Sequence, residues 1–357
     1  MTVTLHDQGT EDGHFGESFE RVDGHTMTET LRYIPRSVVD TWAQREYLVV
    51  FGIPSVDIEA RRRRRYLQRT TCWRFPGVAT KSNNFTGEML VLYVLARHPS
   101  HGYNYSAGVQ EEASEWHDLL TLPIQEGRVT TNKAAGCQGF WGMEAEVGMS
   151  RKTFMWFHHA VQLFPNASYL AKGDDDMFLR VPQYLADLRT LPRRGLYWGL
   201  MHLARINEGS ENGTRMYLYA AGFIVTLARD VVEQVVSYEP LKRLVFYPKN
   251  ATRRSDFYSV GMDHEDMMVG RALYEKNYLG IVYARERACH FHDVHVGFCV
   301  RPVTSRSVAI HHVRESNYAT LMARFGNDTS PSPRNFTRIN PYIIYFPCEK
   351  ENISLRV

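Results

Sequence analysis

Three adjacent carboxylates, Asp174, Asp175 and Asp176, follow the apolar run Tyr169-Leu170-Ala171 and the pair Lys172-Gly173. Like charges side by side repel, so at least one carboxyl has its pKa raised unless a cation neutralises the group. A hard divalent ion with oxygen ligands, Mg2+ or Mn2+, is the natural partner, and such ions commonly hold a substrate phosphate as well. An acidic, solvated turn is the plain alternative. Two further clusters could do chemistry. Asp263, His264, Glu265 and Asp266 stand in consecutive positions just before a helical stretch, and Val308-Ala-Ile-His311-His312-Val is a β-rich run with paired histidines. The acids could act as a general base or simply complement the dipole at a helix N-terminus. A histidine on an apolar strand is either a core residue or a ligand. Cys289, His290, His292 and His295 suggest a zinc set. Positions 290 and 292 share one strand face and 295 does not, and a local Cys289–Cys299 disulfide competes with the metal.

The elements that must position these groups alternate along the chain. Glu46 to Phe51 is a short apolar β-type run closed by Gly52 and Pro54. Asp57 to Trp73 reads helical, with Asp57 as its N-cap and Glu59 in the first turn. Met89 to Ala96 is a continuous apolar run of the kind buried on both faces of a sheet. Trp116 to Leu122 is a third strand candidate, and Arg151 to Phe164 is apolar at helical spacing up to Pro165. Strands alternating with helices predict an α/β domain with a largely parallel central sheet flanked by helices. In such sheets ligands bind beyond the carboxyl ends of strands, where the Asp triplet lies. Further on, Tyr219-Ala-Ala-Gly222-Phe223 sets a glycine between aromatic residues, a sign of close backbone approach. Asp230 to Leu244 is expected to be one helix.

The chain of 357 residues carries 42 basic and 39 acidic side chains, a net charge of +3, so no global field calls for a nucleic-acid partner. Residues 1–44 read as a disordered acidic leader: the first thirty carry seven acids against Arg21 alone. Eight of the fourteen asparagines (84, 104, 166, 212, 250, 327, 335 and 352) begin an Asn-x-Ser/Thr triplet, where average composition predicts roughly two. That excess suggests passage through the secretory pathway. No run of about eighteen apolar residues and no signal peptide is visible. The sequence therefore reads as a lumenal portion whose anchor is absent from it, or one whose start is not the natural one. Membrane association is expected only through such an anchor.

In order along the chain, the landmarks resemble the β-1,3-glycosyltransferases that include the β-1,3-galactosyl- and N-acetylglucosaminyltransferases (glycosyltransferase family 31). The resemblance rests on Arg64-Arg65-Tyr-Leu-Gln-Arg69-Thr-Thr-Cys-Trp73, Lys172-Gly-Asp174-Asp175-Asp176-Met-Phe178, Tyr219-Ala-Ala-Gly222-Phe223, Glu265-Asp266-Met-Met-Val-Gly270 and Val308-Ala-Ile-His311, and spans Glu46 to Phe325. The chain departs from the family pattern by an extra residue before Trp73, by the missing second glycine near Phe223 and by Met267 in place of valine. These departures mark a divergent branch.

The resemblance implies a GT-A type nucleotide-sugar-binding fold at 45–326, with a nucleotide-binding half (45–178), an acceptor and catalytic half (179–326) and a C-terminal extension (327–357). It implies a metal-dependent inverting transfer of galactose or N-acetylglucosamine from a UDP-sugar donor to a glycan or glycoprotein acceptor, in a β-1,3 linkage, in the Golgi lumen. Asp176 is expected as the direct metal ligand with Asp174 beside it, and His311 as the second protein ligand, with His312 well behind. One imidazole among oxygens moves the preference from Mg2+ towards Mn2+. Asp266 is the expected base, with Glu265 as its alternate. Arg64, Arg65, Arg69, Lys172, Asp174, Asp175, Tyr219 and Gly222 are the expected donor-binding set. Five consecutive arginines, Arg61 to Arg65, point all round a helix, so only one or two can meet the donor. The competing expectations are a catalytically inactive glycoprotein that keeps the fold, and a metal-dependent phosphotransferase or hydrolase, which the chain's lack of a P-loop disfavours.

Overall fold

The computed structural model describes residues 26–133, 139–206, 215–246 and 254–348. Its strands are β1 (Val49–Ser55), β2 (Val78–Ala79), β3 (Met89–Arg97), β4 (Leu119–Gln125), β5 (Tyr169–Gly173), β6 (Phe178–Leu179), β7 (Leu196–Ile206), β8 (Arg215–Ala228), β9 (Val282–Arg285), β10 (Phe291–Asp293), β11 (Ala309–His311), β12 (Thr337–Asn340) and β13 (Ile343–Tyr345). The helices are α1 (Arg36–Ala43), α2 (Glu59–Thr70), α3 (Ala107–Trp116), α4 (Met143–Leu163), α5 (Val181–Leu188), α6 (Arg229–Val236), α7 (Glu239–Phe246), α8 (Arg254–Ser259), α9 (Glu265–Glu275) and α10 (Asn317–Phe325).

Among the described residues, ten strands form one mostly parallel sheet in the order β12-β13-β9-β7-β8-β5-β1-β3-β2, with β4 also on β3. The expected α/β class with a mostly parallel sheet is what forms. β8 runs antiparallel to both of its neighbours, β5 and β7. The parallel heart is apolar because both of its faces are covered. Along β1, Phe51 points to Trp73 and Tyr184, with ring centroids 6.1 and 6.2 Å away. Gly52, on the opposite face, lies so close to α4 that a Cβ there would overlap the Trp156 indole. That indole donates to the Ala171 carbonyl at 3.0 Å, tying α4 to β5. β10, β11 and β6 form a second, three-stranded sheet, and β6 begins two residues after the Asp triplet.

Several elements differ from the sequence expectations. The leader is not disordered as far as residue 44. Residues 26–30 are helical, Ile34 is in the core, and α1 adds Val38 and Trp42 to it, with Trp42 against Phe85 and Phe164; residues 1–25 lie outside the described ones. Asp57 does not cap α2, whose N-cap is Ile58. Its carboxylate instead accepts from the Ser106 backbone and hydroxyl at 2.8 and 2.7 Å, fixing the start of α3. Asp230 to Leu244 is two helices, α6 and α7, with the break just before Pro240. No helix among the described residues is long and apolar enough to cross a membrane.

Of the expected C-terminal extension (327–357), the described residues 327–348 pack into the domain, and the rest lie outside the described ones. β13 pairs in parallel with β9, and Phe346 is fully buried. Arg334 bridges Asp187 and Glu286, both at 2.7 Å. Cys289 bonds to Cys348 and not to Cys299, the alternative to a zinc set, and this disulfide joins the stretch to the loop before β10. Without residues 327–348 the buried Asp187 and Glu286 would both lose the Arg334 charge, which is strongly unfavourable.

Glu286 lies among Arg334, His290 and the Trp198 indole N–H. Burial pushes its carboxyl up, but Arg334 and His290 outweigh burial and hold it at about 2 instead of 4.5. A carboxylate held low in the folded chain contributes stability that is present above its ordinary pKa and is lost as pH falls through the folded value. Glu286→Gln should therefore be less stable than the native chain at neutral pH, by about 3 kcal/mol. In chemical denaturation this deficit should shrink as pH falls from 4.5 towards 2; a deficit indifferent to pH would contradict the assignment.

Candidate functional site

The Asp triplet sits at the carboxyl end of β5, where the main sheet hands over to the small one. Asp174 N–H still bonds the Phe223 carbonyl of β8 at 3.2 Å, and the chain then turns into β6. β6 pairs antiparallel with β11, matching Phe178 with Ile310 and Leu179 with Ala309. This register brings His311 beside Asp176, and the Val313 N–H donates to the Asp176 carbonyl at 2.9 Å. His311 Nε2 lies 3.3 Å from Asp176 Oδ1 and 3.4 Å from Asp174 Oδ2.

Each carboxylate of the triplet has its own cation. Asp174 takes Lys172 at 2.6 Å. Asp175 is clasped by Arg61 and by the Ser55 hydroxyl at 2.7 Å. Asp176 faces Arg64 at 3.2 Å as well as His311. Burial pushes Asp174 up, but Lys172 and His311 outweigh it and hold the carboxyl at about 2. Asp176 is driven lower still, because His311, Arg61 and Arg64 overcome its burial. Burial disfavours a charged His311, yet Asp176, Asp174 and Asp293 raise its pKa well above the ordinary value.

Lys172 links the triplet to the second acidic cluster. Its Nζ reaches Glu265 Oε1 and the Gly222 carbonyl, both at 2.5 Å. Glu265 is tied at its other oxygen to the Thr153 hydroxyl at 3.0 Å. One ammonium shared by two carboxylates satisfies Asp174 better than Glu265. Burial first, then the charges of Asp266 and Asp174, push Glu265 up to about 7 against the pull of Lys172. Asp266, held through Oδ1 by the Met267 N–H at 2.8 Å, is also pushed up by burial.

Of the arginines expected at a donor, Arg64 faces the triplet, whereas Arg65 and Arg69 do not. Arg65 forks onto Glu112 at 2.8 and 2.7 Å, and Arg69 spans Glu112 and Asp118. These are buried pairs that bind α2 to α3 and to the start of β4. Arg61, three residues before Arg64 and so on the same side of the helix, takes the place expected of them. Tyr219 packs on the α9 side of β8, in a small apolar cluster with Tyr217, Met267 and Tyr274.

The zinc set suggested by Cys289, His290, His292 and His295 does not assemble. Cys289 is in the disulfide, His290 pairs with Glu286, His292 with Ser307 and His295 with Asn317. The residue of that stretch which reaches the site is Asp293. It lies opposite His311 in the β10–β11 register and accepts from His311 Nδ1 at 2.8 Å. His312 also lies closer than its strand position predicts. Alternation sends it to the other face, but its φ of 55° turns the chain back. Such left-handed backbone in a non-glycine residue costs about 1–3 kcal/mol and persists only where the surroundings impose it. Its ring stacks on His311 with centroids 3.8 Å apart. One donor atom from each of Asp176, His311 and His312 lies within 4.8 Å of the others.

No family model matches the chain, and no curated protein matches it either. Five of the expected glycosylation asparagines, Asn84, Asn104, Asn166, Asn327 and Asn335, are exposed; Asn212, Asn250 and Asn352 lie outside the described residues.

Gly222 is the tightest point of this arrangement. A Cβ there would collide with Glu265 Oε1 and stand 3.3 Å from Lys172 Nζ. Gly222→Ala should destabilise the chain in urea denaturation by about 1–3 kcal/mol, the usual range for overpacking. Unchanged stability would mean that the Lys172–Glu265 contact is looser than described.

Proposed function

We propose that the chain is a metal-dependent, inverting UDP-sugar glycosyltransferase with a GT-A type fold, moving galactose or N-acetylglucosamine to a hydroxyl of a glycan or glycoprotein in the Golgi lumen. One observation carries this reading: the triplet at the carboxyl end of β5 meets His311 on one side and Glu265-Asp266 on the other. Arg64, whose Nη1 lies 3.2 Å from Asp176 Oδ2, adds a buried positive charge at the same point.

In this proposal Asp176 and His311 hold a divalent cation of the Mn2+ kind, whose role when bound is Lewis-acid stabilisation of the departing diphosphate. Arg64 contributes fixed positive charge to the same end, and Lys172 holds Asp174 and Glu265 in place. The acceptor oxygen attacks the anomeric carbon as the bond from that carbon to the UDP oxygen breaks, and the electron pair leaves with UDP. Asp266 takes the hydroxyl proton. It suits that role better than Glu265, both of whose oxygens are engaged by Lys172 and Thr153.

A second reading has its own observation. Arg61 and Arg64 already neutralise Asp175 and Asp176 without any ion, which suits an inactive relative that keeps the fold and binds glycans. Turnover of a panel of UDP-sugars with Mn2+ separates the two. Asp176→Ala should abolish Mn2+-dependent UDP binding in calorimetry; binding that survives excess chelator would overturn the metal assignment. Asp266→Asn should lower transfer by at least about a hundredfold while leaving UDP affinity unchanged. Normal turnover in that variant would remove Asp266 as the base.

A further inference from the structure

The paired histidines are more tightly organised than one ligand requires. Asp293 Oδ1 accepts from His311 Nδ1 at 2.8 Å and lies 3.1 Å from His312 Nδ1. His312 Nδ1 donates to the Val296 carbonyl at 2.5 Å. Asp293 is itself held at its other oxygen by the Cys299 N–H at 3.1 Å. The rings stack 30° from parallel with centroids 3.8 Å apart, and one ring nitrogen of each lies within 4.8 Å of the other and of an Asp176 carboxylate oxygen. A carboxylate behind an imidazole, fixing its tautomer and ring direction, is the usual outer support of a metal-ligating histidine. Here one carboxylate supports two. The left-handed backbone at His312, which defeats strand alternation, is what sets the second ring beside the first.

We propose that His312 is a third protein ligand, so that the cation is held by Asp176, His311 and His312, with Asp293 as the shared positioning residue behind both imidazoles. This rests on the cation site of the function proposed above, but not on glycosyl transfer. Two imidazoles and one carboxylate form a softer donor set than an aspartate cluster with a single histidine. Such a set favours cations later in the first transition row over Mg2+, since imidazole suits those ions while carboxylate and water suit Mg2+.

Co2+ is the probe, because its visible absorption reports nitrogen ligation without any turnover. The full chain is titrated with Co2+ and, separately, with Mg2+ by calorimetry, alongside Asp176→Ala, His312→Ala and His312→Asn. Asparagine tolerates left-handed backbone, so it removes the imidazole while keeping the turn should the alanine variant fail to fold. We expect the His312 variants to lose at least about tenfold in Co2+ affinity, with a changed visible spectrum and much less change towards Mg2+. Native Co2+ affinity and spectrum in His312→Asn, with Asp176→Ala impaired, would overturn His312 as a ligand and leave the cation site standing. Native affinity in Asp176→Ala as well would overturn the cation site itself.

Discussion

Buried negative charge has to be neutralised, and much of this chain is arranged around that demand. Asp175 and Asp176 are buried, and Asp174 stands beside them. An uncompensated buried carboxylate costs several kcal/mol, so each oxygen's partner must be in place when the chain folds. The partners come from distant parts of the chain: Arg61 and Arg64 from α2, Lys172 from β5 itself, and His311 from β11. α2, the main sheet, α9 and the small sheet are thereby brought to one point. The same rule acts elsewhere. Arg65 and Arg69 answer Glu112 and Asp118, while Arg334 answers Asp187 and Glu286 and so draws the C-terminal stretch into the domain.

The sheet supplies the rigidity that makes this convergence specific. β5 lies between the parallel β1 and the antiparallel β8, so the triplet emerges where strand direction changes. That is the kind of crevice in which α/β sheets present their ligand sites. β6, starting two residues later, carries the chain into the second sheet, and its pairing with β11 sets the histidines against the acids. The site is thus built from strand ends and helix N-termini, with backbone hydrogen bonds from Asp174, Val313 and Met267 fixing its members.

Much of this was legible in the residues. Continuous apolar runs at β1 and β3 identify strands covered on both faces, because only such strands have no polar side to show to water. The triplet, Glu265-Asp266 and His311 were recognisable as the groups able to do chemistry. The arginine helix was only half legible. Spacing of three separates Arg61 and Arg64 from their neighbours, but which side of α2 meets the sheet depends on Glu112 and Asp118, residues far along the chain. Trp42 and Arg334 looked peripheral by position, since composition near a terminus says nothing about a partner far along the chain.

Local order therefore accounts for the kinds of element, for the acids at a strand end and for a histidine able to join them. Tertiary contact settled everything that turns on pairing between distant segments: Asp293 behind His311, the left-handed turn that returns His312 to its neighbour, Cys348 rather than Cys299 as the partner of Cys289, and Arg61 in place of Arg65 and Arg69 at the triplet. The physical reason is that hydrophobic periodicity is a property of adjacent residues, whereas strand register and ion pairing compare residues that only the folded chain brings together.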